Sequence, residues 1–133
     1  MRITKITIIK TGKPDMQNIN DLLQWFGGSL GLFNIRDKDR SCFRVFIVLM
    51  KAGRKSAGLS SEEIADITAL SRGTVVYHIN KLIEAGLVRE QSKKYYLEAE
   101  NLEKLIAKLR VDMDQAFDTL SDIGKEIDTK LKY

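Results

Sequence analysis

The alternation of apolar and polar residues changes character several times along the chain. In RITKITIIK, Ile3, Ile6 and Ile8 recur at every second or third position among Thr and Lys, which predicts a short strand with one buried face. GKPD is a turn signal. Beyond it, NINDLLQWFGGSLGLF repeats apolar residues at Ile19, Leu22, Leu23, Phe26, Leu30 and Phe33, one face of a helix that Gly27 and Gly28 are expected to bend or interrupt. This stripe suits core or dimer packing, with a ligand-pocket wall around Trp25 as the alternative.

Asp37 is a candidate N-cap for DKDRSCFRVFIVLMKAG, where Phe43, Phe46, Ile47 and Met50 line one face and Gly53 offers the stop; this should be the most buried helix. A polar loop, RKSAG, leads to LSSEEIADITAL. There Ser60 and Glu63 have capping-box spacing, and Ile64, Ile67 and Leu70 form the buried stripe. Ser71 caps a third helix that runs to about Ala85 before Gly86 ends it. The period then becomes extended: LVREQ, SKK and YYLE read as a hairpin with a basic tip. The remainder, ENLEKLIAKLRVDMDQAFDTLSDIGKEIDTKLKY, is one helix of roughly thirty residues, about 45 Å long. It reads in heptads with Ile106, Met113, Leu120 and Ile127 at a, and Leu102, Leu109, Ala116 and Ile123 at d, Gly124 being its weak point.

Three helices followed by a basic hairpin are the order of a winged helix-turn-helix. The expected fold is therefore mainly α with a small β-hairpin wing. A strand-and-helix extension occupies residues 1–36, the winged domain residues 37–98, and a long C-terminal helix residues 99–133. The chain of 133 residues is 44% hydrophobic, enough for a single core. Its one cysteine, Cys42, lies in the apolar run CFRVFIVLM and reads as a buried thiol in a reducing compartment. That run carries Arg44 and falls well short of the ~20 residues of a membrane span, and the N-terminus lacks the continuous apolar centre of a signal peptide, so a cytoplasmic location and no membrane partner are expected.

Charge sharpens the picture. The formal net charge is +4. Residues 1–36 hold five Lys/Arg against two acids, residues 37–98 eleven against eight, and residues 99–133 six against eight. The excess belongs to the part that resembles a polyanion-binding domain, and the tail is set apart for another job. At 100° per residue the third helix places Val75, Ile79 and Leu82 on one side, with Gly73, Tyr77, Asn80, Lys81 and Glu84 opposite, and Arg72, Thr74 and His78 at its start or flanks. Packing gives that outer face nothing to do, whereas a major groove would: Arg reads guanine in a bidentate way, Thr touches a thymine methyl, Gly73 allows close approach, and Ser71 leaves first-turn amides near a phosphate. Each residue alone has a plainer reading as a solvated or packing group. Their combination with the short turn and the basic hairpin points to DNA.

The stretch LSSEEIADITALSRGTVVYHINKLIEAGLVREQSKKYYL resembles the winged helix-turn-helix of ArsR-type and MarR-type prokaryotic transcription regulators, especially archaeal ones. The resemblance covers about residues 37–98 and is strongest in SRGTVVYHINKLIEAGLV. It implies a homodimer whose third helix, residues 71–85, enters the major groove while the wing, residues 87–98, touches the backbone or minor groove. Residue by residue it assigns DNA-facing positions to Ser71, Arg72, Thr74, Tyr77 and His78, and wing contacts to Arg89, Lys93 and Lys94; Gly73 and Lys81 join them from the projection above. Metal sensors of the ArsR type use cysteine pairs or His and acid ligands. Here SSEEIADITAL has no cysteine, and Asp112, Asp114 and Asp118 have no histidine beside them, so neither metal nor cofactor is expected. The C-terminal helix is expected to dimerise through Leu102, Ile106, Leu109, Met113, Ala116, Phe117, Leu120, Ile123 and Ile127, the alternative being that it folds back over Leu22 and Phe26. A small-molecule effector is not named by any motif. An enzyme is disfavoured by the lack of a phosphate loop, a metal cluster or a nucleophile with its base. The competing functional classes are a winged-helix protein-interaction adaptor and a nonspecific architectural DNA binder.

Overall fold

The computed structural model describes residues 3–15, 18–33, 40–53 and 57–131. Five helices and one hairpin follow in the order α1 (Ile19–Ser29), α2 (Ser41–Gly53), α3 (Ser61–Thr68), α4 (Arg72–Glu84), β1 (Val88–Gln91), β2 (Lys94–Leu97) and α5 (Leu102–Leu131). This is a mainly helical winged helix-turn-helix, with helical extensions on both sides.

Local capping chemistry sets most boundaries. Asn18 caps α1 by accepting from the Asn20 amide at 2.7 Å. The capping box of α3 is complete: the Ser60 hydroxyl accepts from the Glu63 amide and the Glu63 carboxylate accepts from the Ser60 amide, both at 3.1 Å. Two helices end in the same way. At Gly31 (φ 72°) and Gly86 (φ 80°) the chain turns left-handed, and the amides of Gly86 and Leu87 return to the carbonyls of Ile83 and Leu82, as those of Gly31 and Leu32 return to Gly28 and Gly27. The candidate cap Asp37 lies outside the described residues.

The core gathers Val45, Phe46 and Leu49 of α2, Ile64 of α3, Val75, Ile79 and Leu82 of α4, Leu87, Val88 and Leu97 of the hairpin, and Leu105 and Leu109 of α5. Each such side chain contributes about 1.5–3 kcal/mol on burial. α2 is the central helix, but its phase differs from the expected one. Cys42, Val45, Phe46 and Leu49 are its buried line, whereas Phe43, Ile47 and Met50 are half-buried. The run is apolar almost throughout, so periodicity cannot choose its inner face; α2 is sheathed on two sides, with Phe43 turned toward α1 and its ring 4.8 Å from that of Phe33.

Two expectations for the first 36 residues are corrected. Residues 3–15 form no strand: their described backbone bonds run singly, from Lys5 N–H to Glu84 O and from Ile9 N–H to Ser29 O, both 2.7 Å, and no neighbouring strand offers a ladder. Nor do Gly27 and Gly28 interrupt α1, which runs through both. Gly27 is needed for closeness, since a Cβ there would lie 2.6 Å from ring carbons of Phe43. Trp25 is half-buried and donates from its indole N–H to the Gly12 carbonyl at 3.0 Å, pinning the N-terminal arm.

Candidate nucleic-acid interface

The helix-turn-helix is held by a three-residue joint. Ala69 ends α3 in the left-handed region (φ 59°), Leu70 follows, and Ser71 caps α4 by accepting from the Thr74 amide at 3.1 Å. The Thr68 carbonyl at the end of α3 accepts from the Arg44 guanidinium of α2, while the Thr68 hydroxyl donates to Ile64 O at 2.7 Å. Arg44 thus ties the central helix to the joint. In sequence it is only a lone charge in an apolar run, and nothing local reveals that it caps another helix.

This joint presents α4 with one face sealed and the other open. Val75 and Ile79 are fully buried and Leu82 nearly so, while Arg72, Gly73, Tyr77, Asn80 and Lys81 are exposed. Lys81 Nζ sits 4.7 Å from the Tyr77 ring centroid, a cation–π contact that keeps both groups on the outer surface. Arg72 Nη1 lies 3.2 Å from Glu62 Oε1 in the first turn of α3. Thr74 is half-buried and its hydroxyl accepts from that of Ser71 at 2.8 Å. Around Gly73 there is open space: among the described residues no atom comes within 4 Å of where a Cβ would lie.

His78 is placed differently from its expected DNA-facing position. It is 7% exposed and counts among the buried residues of α4, its ring edge-on to Tyr77 at 5.2 Å. Its projection at the edge of the apolar stripe was open to either side, and packing against the rest of the domain takes it inward.

The hairpin pairs Val88 with Leu97, Arg89 with Tyr96, Glu90 with Tyr95 and Gln91 with Lys94. Its tip, Ser92 (φ 52°) and Lys93 (φ 62°), is left-handed at both residues, the geometry of a type I′ turn. Lys93 and Lys94 are exposed there. Arg89 is half-buried: its guanidinium lies 4.7 Å from the Tyr96 ring centroid and donates to the Leu97 carbonyl at 3.3 Å. A third edge, missed in the sequence, joins the hairpin where Leu59 and Tyr95 exchange backbone bonds of 3.2 and 2.8 Å. Burial, and after it the Glu90 carboxylate, hold the Tyr95 hydroxyl above its ordinary pKa, with Arg72 opposing weakly. The Glu63 carboxyl is held below its ordinary pKa by the Ser60 amide first and the Ser60 hydroxyl second, with Lys94 adding a smaller pull. The acids of α3 therefore stand beside the cations of both α4 and the wing.

The expected dimer residues divide into two groups. Leu109 is buried within its own domain, and Leu102 and Ile106 pack half-buried against the same core, so the first turns of α5 serve the monomer. Met113 is half-buried, whereas Ala116, Phe117, Leu120, Ile123 and Ile127 are exposed. Among the described residues no three His, Cys, Asp or Glu side chains gather to hold a metal ion, and no helix is long and apolar enough to cross a membrane.

Residues 39–91 match the model of a family described as a helix-turn-helix domain, a span that runs from the approach to α2 through β1. The match agrees with the helix-turn-helix formed by α2, α3 and α4, which the β1–β2 hairpin makes winged. No curated protein and no solved structure matches the chain significantly.

Proposed function

We propose that the protein is a sequence-specific DNA-binding transcription regulator that acts as a homodimer, of the ArsR-like or MarR-like type found in archaea. α4 enters the major groove and the hairpin lies along the backbone or minor groove. The observation that carries this reading is the two-sidedness of α4: a sealed inner line of Val75, Ile79 and Leu82 behind an outer face of Arg72, Gly73, Tyr77 and Lys81. In this arrangement Arg72 is the base reader at the helix start, Ser71 and Thr74 border a phosphate, and Lys81, Lys93 and Lys94 supply counter-charge. Arg89 acts by bracing the wing on Tyr96. His78 supports Tyr77 from within.

The homodimer part of the reading is supported by the exposed apolar line from Ala116 to Ile127, which the monomer leaves in water. Two copies would present two α4 helices to successive major grooves.

The test is fluorescence anisotropy on the native upstream duplex against a random duplex over a salt series. Binding to the native duplex should be at least ~10³-fold tighter at physiological salt. Equal affinity for both would leave an architectural binder, and no salt-dependent binding to either would remove DNA as the partner.

A further inference from the structure

α5 serves two environments. Leu105 and Leu109 are sunk in the core, but Phe117, Leu120, Ile123, Ile127 and Leu131 expose between 49% and 64% of their surface. The stripe itself does not change direction: at 100° per residue Leu109, Met113, Leu120, Gly124 and Ile127 share one sector of the helix. Gly124 is the odd member. A glycine inside a helix costs about 1 kcal/mol relative to alanine, yet among the described residues no atom comes within 4 Å of where its Cβ would be. Nothing among the described residues calls for a glycine there. A second helix crossing close by does.

Resting on the homodimer reading above, we propose that the free half of α5 docks on α5 of a second copy in antiparallel orientation, with the two-fold axis between Ser121 and Asp122. In that register Leu120 meets Ile123 of the partner subunit, Ala116 meets Ile127 of the partner subunit, and the Phe117 ring, level with Glu126 of the partner subunit, reaches about 3 Å along the axis to lie over Gly124 of the partner subunit. Small faces large in the last two pairs, which fills each layer. A parallel, in-register pair stacks alanine on alanine and glycine on glycine, leaving voids beside a crowded phenylalanine pair.

Charge favours the same orientation. Residues 112–122 carry four aspartates and no cation, whereas residues 123–131 balance Lys125 and Lys130 against Glu126 and Asp128. Antiparallel packing sets the acidic stretch against the neutral one and brings Lys130 of the partner subunit to Asp112; parallel packing sets the acidic stretch against itself. The end of the partner helix also has a seat. A groove of about 790 Å³ runs between Thr4, Lys5 and Ile6 of the N-terminal arm and Met113, Ala116 and Leu120 of α5. The five exposed side chains offer roughly 1,000 Å² between two copies, the lower end of what a specific interface buries.

Spin labels on cysteines introduced singly at Asp114 and Ala107 of the full chain test this geometry without DNA, with labelled wild type setting the background from buried Cys42. The antiparallel crossing gives inter-label distances of about 25 Å and about 45 Å. Two short, nearly equal distances would mean a parallel pair, and absence of dipolar coupling a monomer; either overturns the proposal. Gly124→Leu, which meets open space in the single chain, should raise the dimer dissociation constant at least ~10-fold in sedimentation while helix content is kept. An unchanged or tighter dimer overturns the crossing point but leaves the homodimer standing, and neither readout depends on whether DNA is bound.

Discussion

Gly73→Ala separates the needs of the fold from those of the proposed groove contact, because it should push them in opposite directions. Gly73 is the second residue of α4, helical in backbone, exposed, and surrounded by open space where a Cβ would be. An added methyl therefore meets no resistance in the folded chain and removes conformational freedom from the unfolded one. Stabilisation of about 0.5–1 kcal/mol is expected, less than the full interior value because the position is in the first turn. For a domain of this size that raises the melting temperature by roughly 2–5 °C. On DNA the same methyl projects from the end of the helix that approaches base edges most closely. Forcing it into a packed contact should cost about 1–3 kcal/mol, or about 5-fold to 150-fold in affinity for the specific duplex. No charge changes, so the salt slope should stay where it was. Thermal denaturation and anisotropy on one preparation decide the matter. Higher stability with undiminished specific binding would refute the close approach of α4 to DNA, and lower stability would refute the reading of Gly73 as structurally dispensable.

Arg72→Ala should relax base preference at one position per half-site, whereas Lys94→Ala should weaken all duplexes alike and make the salt slope shallower by about one unit; competition binding against a duplex library distinguishes them. Ser60→Ala should cost about 1 kcal/mol by denaturant unfolding, through loss of the α3 cap. Because Glu63 is held below 4.5 in the folded chain, its contribution is complete above pH 4.5 and is lost as pH falls through the lower folded value, so an acid titration should show wild type losing stability in that window. Ala69→Gly should stabilise by about 1 kcal/mol, since a residue with a Cβ now occupies the left-handed joint at φ 59°; unchanged stability would show that the joint carries no strain. Leu120→Lys should yield monomers in sedimentation and cut the salt slope of DNA binding to about half; an unchanged mass would place dimerisation on another surface.

Features legible in the sequence are those whose cause lies within a few residues. The Ser60–Glu63 box, the Ser71 cap and the Gly86 stop are encoded in three-residue or four-residue spacings, and each occurs in the structure as written. α5 was legible from length and period alone. What was illegible depends on partners far along the chain. The apolar run of α2 has no polar side to set its phase, so which of Val45 or Phe43 turns inward is decided by α1 and the helix-turn-helix packing from both sides. Ile3, Ile6 and Ile8 carry a strand pattern, yet a strand needs a neighbour, and the described residues supply isolated bonds to Glu84 and Ser29. On α4, Tyr77 and His78 are adjacent and both amphipathic; packing sends the histidine in and the tyrosine out. The candidate site was thus readable where exposure follows from helical projection, and ambiguous for the one residue at the boundary of its apolar stripe.

The ion pairs around α3 bear on how much binding one domain can supply. Glu62 and Glu63 lie in the first turn of α3, where negative charge suits the helix dipole and Glu63 also completes the cap. These same carboxylates stand next to Arg72 and Lys94, cations proposed to meet DNA. A phosphate approaching either cation meets an acid already in place, so the charge that steadies α3 weakens the undiscriminating pull of the surface on any duplex. Arg72 gains from Glu62 a fixed orientation more than energy, because an exposed pair is worth about 0–1 kcal/mol. Under the proposed function, a domain built this way binds weakly by charge alone and relies on fit between α4 and a particular groove. In the proposed homodimer, two such domains held by one helix pair would recover affinity through effective concentration, and only at sites whose spacing both can meet. On that proposal, selectivity is set jointly by the outer face of α4 and by the crossing geometry of α5.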